Sequence, residues 1–335
     1  MSSRPISKTS DRKTLASSGC RTLGAIVALL LAHTARAQDV SSVTGRVVKP
    51  GGDSVVAVAD TWVTLHRVGT DHAGPVDSTH TNGNGRYSFT YHRTGANDAI
   101  YFVSSSHDGV AYFSHPLNAG EESGDDAEIV VFDTTSRPVP YTIRGRHLIV
   151  SRAAPDGMRT VTEVFEVSND TSVTRAARDE SPQSAVWSSL IPASATSPVV
   201  ADGDIPAAAV RFANSHVLVY APFAPGMKQL AFHYDLPASA FPLKIPIEHG
   251  AVVLEVLVED PTGSASGARL KAVAPVAIEG HQFRRYLAGD VPANAVAEVS
   301  VPEPKQPPAL YFVAGLTLLI GGAMTVSLAR ALRRR

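Results

Sequence analysis

Apolar and polar residues alternate in short runs along most of this chain. In "TWVTLHRV", residues 61–68, Val63 and Leu65 fall on one face and Thr64 and His66 on the other. In "GRYSFTYH", residues 85–92, Tyr87 and Phe89 share a face. "SVTGRVVKP", "DAIYFVSSSH", "VAYFSHPL" and "AEIVVFDTT" behave alike, and Gly, Asn, Asp and Pro separate the runs. A period of two with such separators predicts half-buried antiparallel strands. "NAGEESGDDAE", residues 118–128, reads as an acidic loop.

The second half repeats the signal. Ten runs, from "HLIVSRA" at 147 to "AVAEVSVP" at 295, read as strands. "TEVFEVSND" places Val164 and Glu166 on one face, Phe165 and Val167 on the other. "NSH", Asn214 to His216, reads as a hairpin turn between "AVRF" and "VLVY". Ten strands over about 165 residues predict one two-sheet sandwich or two small ones in tandem.

The two ends carry a different pattern. Arg4, Lys8, Arg12, Lys13 and Arg21 precede an apolar run, Leu23 to Ala32, and "ARA" ends at Ala37. A basic region, a short apolar stretch and an A-x-A site predict a cleaved signal peptide, residues 1–37. Ala309 to Ala329 is free of charge, and Arg330, Arg333, Arg334 and Arg335 follow. At 1.5 Å per residue, ~21 residues of helix reach about 31 Å, the thickness of a bilayer core. The arginines predict a cytoplasmic C-terminus. "VPEPKQPP", ending at Pro308, is an extended spacer of roughly 20 Å.

Charge and cysteine content narrow the function. Lys+Arg is 30 and Asp+Glu is 31, so no global field draws the chain to nucleic acid. Cys20 is the single cysteine and precedes the predicted cleavage point. The exported body is then expected to lack disulfides and thiolate ligands.

"THTNGNGRYSF", residues 79–89, invites a cation or phosphate reading. An EF-hand loop needs Glu at position twelve. Counting from Asp77 gives Ser88 there, and counting from Asn82 gives Arg93. A phosphate loop needs a following helix, and here a strand follows. The stretch is therefore a turn, expected to form a tight hairpin into the Tyr-Ser-Phe strand. "VTGRVV", "VTLHR" and then Thr81, Gly85, Tyr87 and Phe89 resemble the carboxypeptidase regulatory-like family over residues 42–135. The resemblance implies a prealbumin-type β-sandwich of about seven strands and a non-catalytic module, in a group linked to carbohydrate-binding folds.

Motifs for catalysis are absent. No H-E-x-x-H occurs, and "GSASG", residues 263–267, has the wrong register for a nucleophile elbow and is expected in a loop. Six of the 12 histidines lie between His66 and His115, without i, i+2 or i, i+4 spacing. His66 and His92 could share a direction on adjacent strands, and Trp62 is expected to point outward. These three are the candidate ligand contacts. No catalytic, cofactor or metal residue is assigned.

The expectation is an all-β chain of two tandem β-sandwich domains followed by a single C-terminal transmembrane helix. Its parts are a signal peptide (1–37), a regulatory-like sandwich (38–137), a second, immunoglobulin-like sandwich (138–301), a linker (302–308), a span (309–329) and a tail (330–335). The expected role is non-enzymatic: a single-pass protein of the bacterial inner membrane. Its exported body would bind another envelope protein or, alternatively, a carbohydrate.

Overall fold

The computed structural model describes residues 40–301, apart from 53, 97, 118–120 and 124–126. The predicted signal peptide, linker, membrane span and basic tail lie outside the described residues. Among the described residues no helix is long and apolar enough to cross a membrane. They form an all-β structure of several sheets, interrupted by short 3-10 turns. The chain divides into two units between Val131 and Phe132.

In the first unit, β1 (Val40–Pro50) is flanked by β2 (Val55–Ala57). After it come β3 (Trp62–Val68), β4 (Ala73–His80), β5 (Arg86–His92), β6 (Ile100–His107), β7 (Val110–Phe113), β8 (Glu121–Ser123) and β9 (Ile129–Val130). One sheet joins β2, β1 and β5, and β8 and β9 pair in parallel with β1. The other runs β4-β3-β6-β7, antiparallel throughout. Inward rings make the two sheets meet: Tyr91 of β5 lies 5.1 Å from Tyr101 of β6. Val43, Val63, Leu65, Phe89 and Val103 are buried around them.

Three expectations change here. Glu121–Ser123, inside the expected acidic loop, is strand β8, because its backbone extends the sheet beside β1. Strand β4, "AGPVDSTH", was not foreseen. It is an edge strand exposed on both faces, so no apolar alternation marks it. The Asn82–Gly85 stretch is a turn, but it joins no hairpin. It carries the chain from β4 in one sheet to β5 in the other. The Asn82 side chain accepts the amides of Asn84 and Arg86, both at 3.0 Å, and the Gly85 amide donates to the Asn82 carbonyl. Gly85 has φ +71°, and a Cβ there would press on the Val47 carbonyl.

The second unit begins with β10 (Thr134–Thr135), which pairs with β13 (Thr174–Arg175) instead of closing the first unit's sheets. Its main body is a seven-stranded sheet. Chain order supplies β11 (Thr142–Val150), β12 (Arg159–Asn169), β15 (Thr196–Val200), β18 (Gly226–Leu236), β20 (Ala251–Val258), β22 (Lys271–Ile278) and β23 (His281–Val291). Their spatial order is β15-β18-β12-β11-β20-β23-β22, and the β11–β20 pairing is the parallel one. Two three-stranded sheets complete the unit. One is β14 (Trp187–Leu190), β17 (His216–Val219) and β16 (Val210–Ala213). The other is β19 (Leu243–Ile247), β24 (Ala295–Ser300) and β21 (Ser264–Gly267). "GSASG" is thus largely strand, where a loop was expected.

Inward residues from all three sheets form one buried cluster. Phe165 and Phe232 come from the long sheet, Trp187 and Val217 from one small sheet, Ile245 and Val299 from the other. Phe165 meets Trp187 edge-on at 4.9 Å. One core therefore serves the whole second half. Asn169 is buried. Its amide donates to the carbonyls of Val173 and Phe223, so it acts as a structural cap.

Candidate binding face

The outer face of β4-β3-β6-β7 carries the most distinctive side chains of the first unit. Alternation explains it. Val63, Leu65, Tyr101, Val103, Val110 and Tyr112 point inward, so their neighbours on β3, β6 and β7 point out. Trp62 and Phe113 are each 59% exposed, and Ile100 and Val68 are half exposed. The register sets Trp62 opposite His80, His66 opposite Phe102, and Ser104 opposite Phe113.

The rings are held by contacts across the strands. Trp62 meets His80 edge-on at 4.0 Å. His66 stacks on Phe102 at 5.1 Å with a 12° interplanar angle. Phe102 meets Phe113 edge-on at 5.7 Å. Such pairs fix orientation beyond simple area burial. The polar groups of the face are largely engaged with one another. Thr64 and Ser78 hydroxyls are 3.1 Å apart, His66 Nε2 and Ser104 Oγ 2.8 Å, and His80 Nδ1 and Asp60 Oδ1 2.9 Å. Burial lowers the pKa of His66 below the usual histidine range. Burial thus favours the neutral imidazole at that ring.

Of the three candidate contacts read from the sequence, Trp62 and His66 share this face. His92 does not. It ends β5, in the other sheet, and alternates with the inward Tyr91, so it points out on the opposite side of the unit. The expected same-facing pair of His66 and His92 on adjacent strands is not formed. Phe102, Phe113 and His80 were missed as members of the site. The alternation of "IYFVSSSH" and "VAYF" already places Phe102 and Phe113 opposite the inward Tyr101 and Tyr112. What it lacks is the strand order that sets them beside His66.

The hairpin between β3 and β4 is tied down from inside. Arg67 is buried, and its guanidinium donates to the carbonyls of Thr94 and His72 and to Asp71 Oδ1 at 2.6 Å. The face is thus made of strands and not of loops, with the β3–β4 hairpin anchored by Arg67.

The outer face of the long sheet in the second unit is arranged differently. His147 Nδ1 lies 2.7 Å from Glu255 Oε2, and Arg285 Nε donates to Glu255 Oε1 at 2.5 Å. Burial works against the Glu255 charge, yet these two partners hold its pKa below the ordinary carboxylate value. The chain matches no protein-family model and no curated protein.

Proposed function

We propose that this chain is a non-enzymatic, membrane-anchored exported protein that docks another envelope protein through the outer face of β4-β3-β6-β7. In this reading the two units are tandem β-sandwich domains, the first a carboxypeptidase regulatory-like module. The apolar segment Ala309 to Ala329 holds them to the bacterial inner membrane. The observation that carries the reading is the outward aromatic set of this sheet: Trp62 and Phe113 are exposed, and the half-buried Phe102 joins Phe113 to His66. Outward rings on one sheet face favour a protein partner, because aromatic anchors dominate interface energetics. The internal pairing of Thr64, Ser78 and Ser104 points the same way. A sugar needs free, directed hydrogen-bond groups beside its stacking ring, and these hydroxyls are already engaged.

A second reading keeps the same face for carbohydrate. It is favoured by Trp62, whose ring is held edge-on to His80 and open to solvent. One experiment separates the two. A photo-crosslinking residue replaces Phe113 in the full-length chain in its native membranes, and a control carries it at Thr90 on the opposite face. The expected result is one stoichiometric protein adduct at 113, none at 90, and loss of the adduct in Trp62→Ser. No protein adduct at 113, together with Trp62-dependent binding on a glycan array, would overturn docking in favour of carbohydrate.

A further inference from the structure

In the second unit, the small sheets β14-β17-β16 and β19-β24-β21 cover the long sheet side by side, and a cavity of about 240 Å³ opens where they meet. Its walls are mostly apolar: Leu190 and Ile191 on one side, Ile245 and Pro246 on the other, with Pro192, Ala193 and the polar Ser215 completing them. Its floor is not. Arg146 and Glu163, buried side chains of β11 and β12, line it, and Lys244 stands exposed on β19 at its edge.

The floor is a hydrogen-bonded ion pair. Glu163 Oε2 accepts Arg146 Nε at 3.1 Å and Arg146 Nη2 at 2.7 Å, and Oε1 accepts the Tyr234 hydroxyl at 2.8 Å. That carboxylate is well satisfied. Arg146 also donates Nη1 to the Pro246 carbonyl at 2.9 Å. A guanidinium has five N–H donors, so one remains on each Nη. Glu248 is directed elsewhere, accepting the Leu190 amide at 2.8 Å. The pair is neutral overall, so what the cavity offers a guest is the spare Arg146 donors, with the Lys244 ammonium, whose cross-strand neighbour is Glu298, at its edge. A cationic guest would bring no acceptor for the spare Arg146 donors. A neutral apolar guest would leave the Arg146 donors unmatched. A phosphate would lose its hydration against mostly apolar walls.

We infer that this cavity binds a compact organic carboxylate. Its apolar body lies against Ile191, Pro192 and Ile245, and its carboxylate takes hydrogen bonds from Lys244 and Arg146. The size fits: a dry cavity of about 150 Å³ holds a benzene ring, and the remaining volume accommodates a carboxylate. The site concerns the second unit alone and stands whether or not the aromatic face of the first unit takes a partner.

The test uses the full-length chain in lipid nanodiscs, with empty nanodiscs as the blank. The probes are hexanoate, benzoate and hexan-1-ol, followed by saturation-transfer NMR and calorimetry. Two variants sit at the mouth, away from the buried pair: Lys244→Met, which removes the charge, and Ala193→Phe, which sets a ring in the opening. Far-UV circular dichroism matching the parent shows that both fold. The expected result is carboxylate binding weakened about tenfold by Lys244→Met, the scale of one charge-assisted hydrogen bond. Hexan-1-ol should bind more weakly than hexanoate and be indifferent to Lys244→Met, and Ala193→Phe should abolish binding of all three. Absence of carboxylate binding would overturn the inference, as would equal binding to the parent and both variants, or equal binding of the alcohol and the acid.

Discussion

The two units allocate their polar and apolar groups in opposite ways. The first keeps inward faces of valines, leucines and aromatic residues, buries Arg67 with its Asp71 partner at the surface, and leaves Trp62 and Phe113 in solvent. The second places a charged pair, Arg146 and Glu163, inside its core and lines the outer face of its long sheet with His147, Glu255 and Arg285. Both are built from the same alternating strands. In the first unit, exposed rings cost little folding stability. In the second, a buried charged pair is costly to desolvate and strongly destabilising to break. A buried pair of this kind fixes which strands lie together, because Glu163 on β12 has its partners on β11 and β18.

The largest expected effect tests the buried side of that contrast. Glu163→Ala leaves Arg146 buried and uncompensated, and should cost the second unit about 3–5 kcal/mol. Urea denaturation followed by Trp187 fluorescence reads it. The double change Arg146→Met with Glu163→Leu should recover most of that loss, since an apolar replacement of both partners avoids the stranded charge. Failure to recover would mean the pair contributes more than mutual neutralisation.

Tyr87→Phe probes the interior of the first unit. The Tyr87 hydroxyl donates to the Ala127 carbonyl, and burial pushes its pKa well above the usual tyrosine value. Losing that bond and leaving the carbonyl unmatched should cost about 1–2 kcal/mol, read as an earlier denaturation midpoint of the first unit.

Trp62→Ser and Phe113→Ser should each change stability by about 0.5 kcal/mol or less, as exposed positions usually do. A loss as large as that of Tyr87→Phe would show that the rings hold the sheet together, and the contrast between the units would fail.

The smallest effect concerns acid. The Ser168 hydroxyl, then the Thr142 hydroxyl and Arg144, hold the Asp170 carboxyl at about 2, below its ordinary 3.8. A depressed folded-state value stabilises the protein above about pH 4, and the contribution disappears as pH falls through 2. Asp170→Asn should flatten the stability profile between pH 4 and pH 2 and leave it unchanged in shape above pH 5. A parallel shift at every pH would sink the assignment.

Sequence alone determined the all-β character, because period-two alternation survives wherever one strand face is buried. It also determined that Trp62 points outward, since Val63 and Leu65 take the inward phase, and that Asn82 to Gly85 turns. Neighbouring residues decide such properties, through backbone sterics and local hydrogen bonds. Tertiary structure decided the rest. Strand β4 has no buried face and left no pattern to find. His66 and His92 separate because β3 and β5 join different sheets, and alternation says nothing about which strands pair. Glu163 lies in phase with Val161 and Phe165, a visible oddity, yet its meaning depends on Arg146 and Tyr234, 17 and 71 residues away. Sheet order brings those groups within hydrogen-bond reach, and it is set by the burial of whole faces, which no single run of residues encodes.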